Sequence, residues 1–275
     1  MDLYLAFKSF WQLKTINREE ERNEKIHSGN KTGVEVVASE KLPQLLEEYK
    51  KDERKGVQNL VARYFKEQEK LKQEMQRLEV MKQFEVKYSN SYSAICGVDE
   101  AGRGPLAGPV VAGAVILPSD CTILYLNDSK KLSAVKRDQL FDEIKEKAIA
   151  YGVGIVSPER IDEINILQAT YEAMQQAIAN MSVSPDMLLV DAVTIPNISV
   201  KQVGIIKGDA KSVSIAAASI LAKVTRDRLM VEYDSLFPEY GFAGHKGYGS
   251  ANHIEAIKKN GPCPIHRKTF IKNFI

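Results

Sequence analysis

Cysteine, histidine and long apolar runs are all scarce in this chain of 275 residues, and each shortage narrows what it can be. The three cysteines, Cys96, Cys121 and Cys263, share no short spacing. Neither a zinc-ligand pattern nor a disulfide framework is visible, which fits a reducing compartment and a cytoplasmic protein. No apolar run reaches the roughly 18 residues of a membrane span. Met1–Leu13 holds leucines and aromatics, but Asp2 and Lys8 lie inside it and it has no small-residue cleavage site, so it does not read as a signal peptide. Net charge is only +2, which by itself argues for no partner. Histidine is limited to His27, His245, His253 and His266, and none forms a close motif with the acids described below.

Charge is present, but unevenly. Residues 1–92 carry 18 basic and 16 acidic side chains, 93–200 carry 8 and 14, and 201–275 carry 12 and 6. The acidic middle holds the candidate metal ligands, and the basic end suits phosphates. Charge density also falls near residue 92. Two regions are therefore expected: a charged helical extension over 1–92, disordered in part at 1–40, and a packed domain over 93–275. Val57, Val61, Tyr64, Gln68, Leu71, Met75 and Leu78 recur at spacings of three and four, which predicts an amphipathic helix. Ser28–Gly33 reads as a loop, and Leu42–Lys51 as a short helix. Beyond residue 93, strands are expected at Ala94–Val98, Val110–Leu117, Tyr151–Val156, Met187–Val190 and Val200–Ile206. Helices are expected at Ala134–Ala150, Ile166–Asn180, Val213–Ser235 and Asn252–Asn260. That alternation predicts an α/β fold, a mixed sheet flanked by helices.

Four acids stand at the ends of these elements. Asp99 and Glu100 close the first strand, just ahead of Gly102-Arg103-Gly104-Pro105. Asp191 closes Met187–Val190, and Asp209 precedes the long helix. Ligands of open α/β sheets gather at such edges. Carboxylate oxygens without thiolates suit Mg²⁺ or Mn²⁺, and four acids can hold two such ions about 3.5–4 Å apart for phosphodiester cleavage. Singly, each acid has a plainer reading: Asp209 as a helix N-cap, Asp191 as the start of a turn.

The run Gly97–Pro109, Asp128-Ser129-Lys130-Lys131-Leu132, the strand ending at Asp191, the stretch Lys207–Val224 and Gly247-Tyr248-Gly249 together resemble bacterial ribonuclease HII. The resemblance covers 93 to about 270 in order and spacing. Pro105 after Gly104, and the lack of an extra sheet domain in 1–92, favour this family over the related type 3 enzymes. Residues 1–92 resemble the helical extension of some Gram-positive members, although 1–30 match nothing. The resemblance implies a ribonuclease H-like fold and a catalytic, metal-binding set of Asp99, Glu100, Asp191 and Asp209. It implies Mn²⁺ or Mg²⁺ as cofactor. The implied substrates are RNA–DNA hybrid and duplex DNA carrying embedded ribonucleotides, incised on the 5′ side, with roles in ribonucleotide and RNA-primer removal. Metal-activated water needs no histidine and should leave a 3′-hydroxyl and a 5′-phosphate.

Substrate contacts follow from the same comparison. Sensing a ribose means sensing a 2′-hydroxyl. The family places that task on the backbone of Gly102, Arg103 and Gly104. It lays Tyr248 on the deoxyribose just past the ribonucleotide, although by position alone Tyr248 reads as a loop aromatic capping the core. Lys130 becomes a phosphate contact; Asn165 is either another or a helix cap; Arg267 and Lys268 are candidates for positioning the duplex backbone. Lys223, Arg226 and Arg228 read mostly as solvent-facing or paired with Asp227 and Glu232. A monomer is expected, with the N-terminal helix as a candidate contact for DNA or a protein. Two rival classes stand beside this reading: a non-catalytic binder of hybrid duplexes, and a nuclease or transferase of the same fold acting on DNA.

Overall fold

The computed structural model describes Glu47 and residues 49–275. The partial disorder expected at 1–40, the loop at Ser28–Gly33 and most of the short helix at Leu42–Lys51 lie outside the described residues. Contacts divide the chain into two compact units between Lys72 and Gln73. Helix α1 spans Lys55–Met81 and contains the whole apolar stripe. In the first unit, Val61 is buried among Tyr49, Val57, Leu60, Tyr64 and Phe65.

The second unit begins on the last turns of α1, where Leu78 and Met81 are buried in the main core. Helix α2 (Gln83–Tyr88) follows, and Phe84, Tyr88 and Tyr92 cover Met187, Leu189, Ile205 and Ile215. Glu85 Oε1 accepts from Ser212 Oγ at 2.5 Å and from the Ser214 amide at 3.0 Å. Charge density drops near residue 92, but packing divides the chain earlier, because Leu78, Met81, Phe84, Tyr88 and Tyr92 pack onto the second unit, while Met75, Val80 and Val86 stay exposed.

Strands β1 (Ile95–Ala101), β2 (Val110–Ile116), β3 (Ala150–Val156), β4 (Met187–Asp191) and β5 (Lys201–Ile205) form one sheet in the order β3-β2-β1-β4-β5. The first three are antiparallel neighbours, and β4 and β5 run parallel to β1. The expected mixed sheet, with all five strands, is present. Every residue of β2 is buried because helices cover both faces. Helix α4 (Pro158–Ala179) packs on the side of Ala112, Ala114 and Ile116, and α5 (Val213–Leu236) on the side of Val115. Gly97 and Gly113 bring α5 close: a Cβ there would lie 2.1 Å from Ser214 C and 2.4 Å from Ala218 O. Helix α3 (Ala134–Lys147) adds Leu140, Phe141 and Ile144 to the α5 side. Short helices α6 (Phe242–His245), α7 (Ala251–Asn260) and α8 (Lys268–Ile271) close a smaller core with Ala107 and Met230.

Serines start four of these helices. Ser133, Ser157, Ser212 and Ser250 each accept from the amide three residues on, satisfying an N–H that the helix leaves open. Helix α4 begins earlier than the expected Ile166 because it is two helices joined at a kink. Asn165 breaks the regular backbone with φ 67° and ψ 164°.

Candidate active site

Register brings the acids together. Val98 of β1 pairs with Val190 of the parallel strand β4, so the next residues, Asp99 and Asp191, leave the same sheet edge side by side. Parallel β5 then returns the chain to that edge, where a 3₁₀ turn over Gly208–Ala210 holds Asp209. The Gly208 amide donates to Asp191 Oδ1 at 2.7 Å. The N-cap of α5 is Ser212, so capping does not account for Asp209, which is buried.

The edge is electrostatically unbalanced. Burial pushes the Asp99 carboxyl well above its usual range; Glu100 and Asp191 push further, against the Ser219 hydroxyl. Burial also raises Glu100, against Arg103, whose Nη1 lies 3.3 Å from Glu100 Oε1. Asp209 is raised by burial, then by Asp128 and Asp191, against Lys130. Burial alone would lower the Lys130 ammonium, yet Asp128, Asp99, Asp209 and Asp191 hold it above its ordinary value. Such an excess of buried negative charge is relieved by a cation. An all-oxygen donor set fits a hard divalent ion. The ligands are not drawn together in advance: among the described residues, no three His, Cys, Asp or Glu side chains are grouped to hold a metal ion. Asp99 Oδ1 instead accepts from the Glu100 amide at 2.7 Å, and Asp191 from Gly208.

Beside the acids, a cleft of about 450 Å³ is lined by Glu100, Gly102, Arg103, Gly104, Lys130 and Tyr248, among others. The structure thus gathers the expected loop, lysine and tyrosine around one space. Arg103 and Gly104 are exposed, and a Cβ on Gly104 would meet nothing within 4 Å. Gly102 differs: it is buried with φ +93°, and a Cβ would fall 2.1 Å from Arg226 Nε. Tyr248 is 45% exposed and borders the cleft, so it does not cap the core.

Two arginines sit otherwise than expected, and Asn165 takes one of its two expected roles. Arg267 is fully buried, and its guanidinium donates to the carbonyls of Gly102 (2.6 Å), Arg103 (2.9 Å) and Gly108 (3.0 Å). It reaches the loop, not a duplex backbone. Arg226 is not on the solvent face of α5; it is equally buried and donates to Ala107, Pro109 and Lys246 carbonyls. Asn165 acts as a cap, its Oδ1 accepting from the amides of Leu167 and Gln168. Lys223 does pair with Asp227, at 2.7 Å, while Arg228 reaches Asp138.

The chain matches the ribonuclease HII family model over residues 96–273, and the model of the ribonuclease HII N-terminal domain over 31–89. The chain belongs to the ribonuclease HII family. Members of this family are endoribonucleases with ribonuclease H activity on RNA–DNA hybrids. A ribonuclease HII of Lachnoclostridium phytofermentans is 63% identical over 227 residues, 82% of this chain and 89% of that protein. One from Clostridioides difficile is 55% identical over 243 residues, 88% and 95% of the two chains. The crystal structure of ribonuclease H2 from Pyrococcus horikoshii superposes with a TM-score of 0.55 at 30% identity, covering 66% of this chain and 96% of that one.

Within this ribonuclease HII chain, the histidines turn out to matter structurally. The Cys263 amide donates to His266 Nδ1 at 2.9 Å, which leaves the proton on Nε2. That nitrogen faces His253 Nε2 at 3.0 Å, and His253 Nδ1 therefore donates to the Tyr248 carbonyl at 2.9 Å. Burial and the neighbouring imidazole push His266 down to about 4; burial also lowers His253. Sequence reasoning treated these residues only as absent from the acid site. Ser219 carried no signal of its own and Arg226 read as a surface cation, although a helical spacing of three and four links Ser219, Ala222, Arg226 and Met230 on the buried stripe of α5.

Proposed function

We propose that this endoribonuclease cuts the RNA strand of RNA–DNA hybrids and incises duplex DNA on the 5′ side of an embedded ribonucleotide. The observation that carries the reading is the register of β1 with β4, which sets Asp99 beside Asp191 at the edge that also receives Asp209. Asp99, Glu100, Asp191 and Asp209 would hold two Mg²⁺ or Mn²⁺ ions. Bound there, such ions would supply positive charge to the phosphate and lower the pKa of an attacking water. The products would be a 3′-hydroxyl and a 5′-phosphate.

The chain's own groups do the positioning. Strand pairing fixes the backbones of Asp99 and Asp191 at one edge, so only their side chains need turn when the counter-charge arrives. Lys130, held charged by the surrounding acids, faces a phosphate from inside the cleft. The exposed amides of Arg103 and Gly104 sit where a 2′-hydroxyl can be bonded, and the Arg103 side chain adds a phosphate contact. Tyr248 lays its ring on the sugar beyond the junction, with Lys223 Nζ 6.0 Å from the ring centroid. Residues 1–72 add affinity for duplex or for a partner. The working form would be a monomer, acting in cytoplasmic ribonucleotide and primer removal.

The full chain should cut an RNA–DNA hybrid and a duplex with one ribonucleotide, spare the all-DNA twin, and stop in chelator. Tight hybrid binding without cleavage in either Mg²⁺ or Mn²⁺ would favour a non-catalytic binder; cutting of the all-DNA twin would favour a DNA nuclease.

A further inference from the structure

We propose that Arg226 and Arg267 are positioning residues that hold the loop Gly102–Pro109 and the turn at Lys246 in one preformed arrangement, and thereby set how sharply a ribose is told from a deoxyribose. The inference rests on the substrate reading above.

Both guanidinium groups are wholly buried, and among the described residues neither forms an ion pair. A buried charge is costly unless hydrogen bonds satisfy it. Here six backbone carbonyls do so: Gly102, Arg103 and Gly108 for Arg267, and Ala107, Pro109 and Lys246 for Arg226. Five of the six belong to one loop. Their oxygens converge only while that loop keeps its present path, so the charge and the loop shape depend on each other. Two loop glycines make the room. Gly102 and Gly108 have φ of +93° and +85°, and a Cβ on either would press on Arg226, at 2.1 Å from Nε and 3.2 Å from Nη2.

The sixth carbonyl extends the grip. Through Lys246, Arg226 ties the glycine loop to the turn that presents Tyr248, and the Leu106 amide repeats the tie by donating to Gly247 at 2.8 Å. The same helix carries Ser219, whose hydroxyl eases the Asp99 carboxyl and lies 3.0 Å from Ser129 Oγ, seven residues before Arg226, or about 10 Å along the axis. One rigid element therefore spaces the reacting edge from the reading loop. A site that bonds a hydroxyl discriminates against its absence only if its donors are held in place. Misplacement of about 1 Å can cost roughly 10²-fold in rate.

The test uses the full chain with Arg226→Lys and Arg267→Lys, which keep the charge but drop most of the carbonyl bonds. Cleavage of the hybrid and of the singly substituted duplex is measured in Mg²⁺, and hybrid affinity in chelator. The expected result is a kcat loss of ~10- to 100-fold with Kd for the hybrid nearly unchanged, and a reduced preference for ribose over deoxyribose at the cut site. In Arg267→Ala, millimolar guanidinium should restore rate, and sodium chloride of equal ionic strength should not. Unchanged kcat would overturn the proposal. So would a Kd loss as large as the rate loss, which would mean direct phosphate contact. Failure of both lysine variants to fold would also overturn it, because the arginines would then support the whole domain and not one loop. A wild-type chain that leaves the hybrid uncut would instead refute the substrate reading.

Discussion

At the C-terminal edge of β1 and β4, four carboxylates crowd around a single lysine, and burial raises three of them above their ordinary range. Behind the glycine loop that follows β1, two arginines are wholly buried, yet three carbonyls engage the N–H groups of each. Both regions put charge inside the protein. The arginines are complete as they stand, and burial shows in Arg267 being drawn down to about 9 while remaining hydrogen-bonded. The acids are incomplete, because Lys130, Arg103 and two backbone amides are too few to balance four crowded carboxylates. Completeness gives a rigid loop; incompleteness leaves a place for a cation. The comparison teaches that the same cost, burial of charge, is settled within the fold at one place and left for a ligand at the other.

Removing an acid should break the incomplete side most severely. Asp99→Asn and Asp191→Asn should each reduce cleavage by at least ~10³-fold, the scale of losing a major electrostatic element. Asp99→Asn should also raise the melting temperature of the metal-free protein, since a carboxylate whose folded pKa is raised opposes folding at neutral pH. Wild-type turnover in either variant would remove that residue from the site. A lower melting temperature in Asp99→Asn would mean that the edge is not strained by charge.

Truncation tests where the domain supporting both regions begins. Residues 73–275 should fold and keep metal-dependent cleavage. Residues 93–275 should lose stability, because Leu78 and Met81 alone each contribute about 1.5–3 kcal/mol of burial and a domain has only about 5–15 kcal/mol in total. Equal thermal stability of the two fragments would show that 73–92 merely rest on the sheet. If residues 1–72 touch the duplex, hybrid affinity of the full chain should also fall more steeply with salt than that of 73–275.

Tyr248 sharpens the comparison on the reading side. Tyr248→Ala should lower activity by ~10- to 100-fold, the scale of a lost stacking contact of about 1–3 kcal/mol, and should blur the cut position. A variant cutting at the same place with the same efficiency would make Tyr248 a packing residue only.

The smallest effect concerns pH. His266 is neutral in the fold down to about 4, whereas the unfolded side chain protonates near 6.5. Between those values the unfolded chain binds more protons, so this histidine's contribution is full above about pH 6.5 and is lost as pH falls toward 4. The stability gap between wild type and His266→Asn should therefore shrink from pH 7 to pH 5, as read by urea denaturation. A constant gap would mean that His266 does not titrate on unfolding in that range.

Much of this was legible in the sequence, and for physical reasons. All five strands announced themselves as short apolar runs, and the four acids stood out together because a cap or a turn explains one such carboxylate but not four at one kind of edge. Other features depend on pairing partners far apart in the chain. Arg267 looked like a surface cation because nothing local shows that Gly102, Arg103 and Gly108 turn their carbonyls toward it. The first turns of α4 were hidden by Pro158, which starts that helix but reads equally as a boundary. Residues 73–92 were grouped with the charged extension because their few apolar side chains are spread among many charges, and only packing reveals that Leu78, Met81, Phe84, Tyr88 and Tyr92 join the domain.

The most direct test of the account is the cleavage position on a duplex carrying one ribonucleotide, mapped for the full chain in Mg²⁺ and in Mn²⁺. The account predicts a single cut on the 5′ side of the ribonucleotide, leaving a 3′-hydroxyl and a 5′-phosphate, and no cut in chelator. A 2′,3′-cyclic phosphate end, or cleavage that persists in chelator, would contradict it, because attack would then come from the ribose itself and the four acids would not be the reacting site.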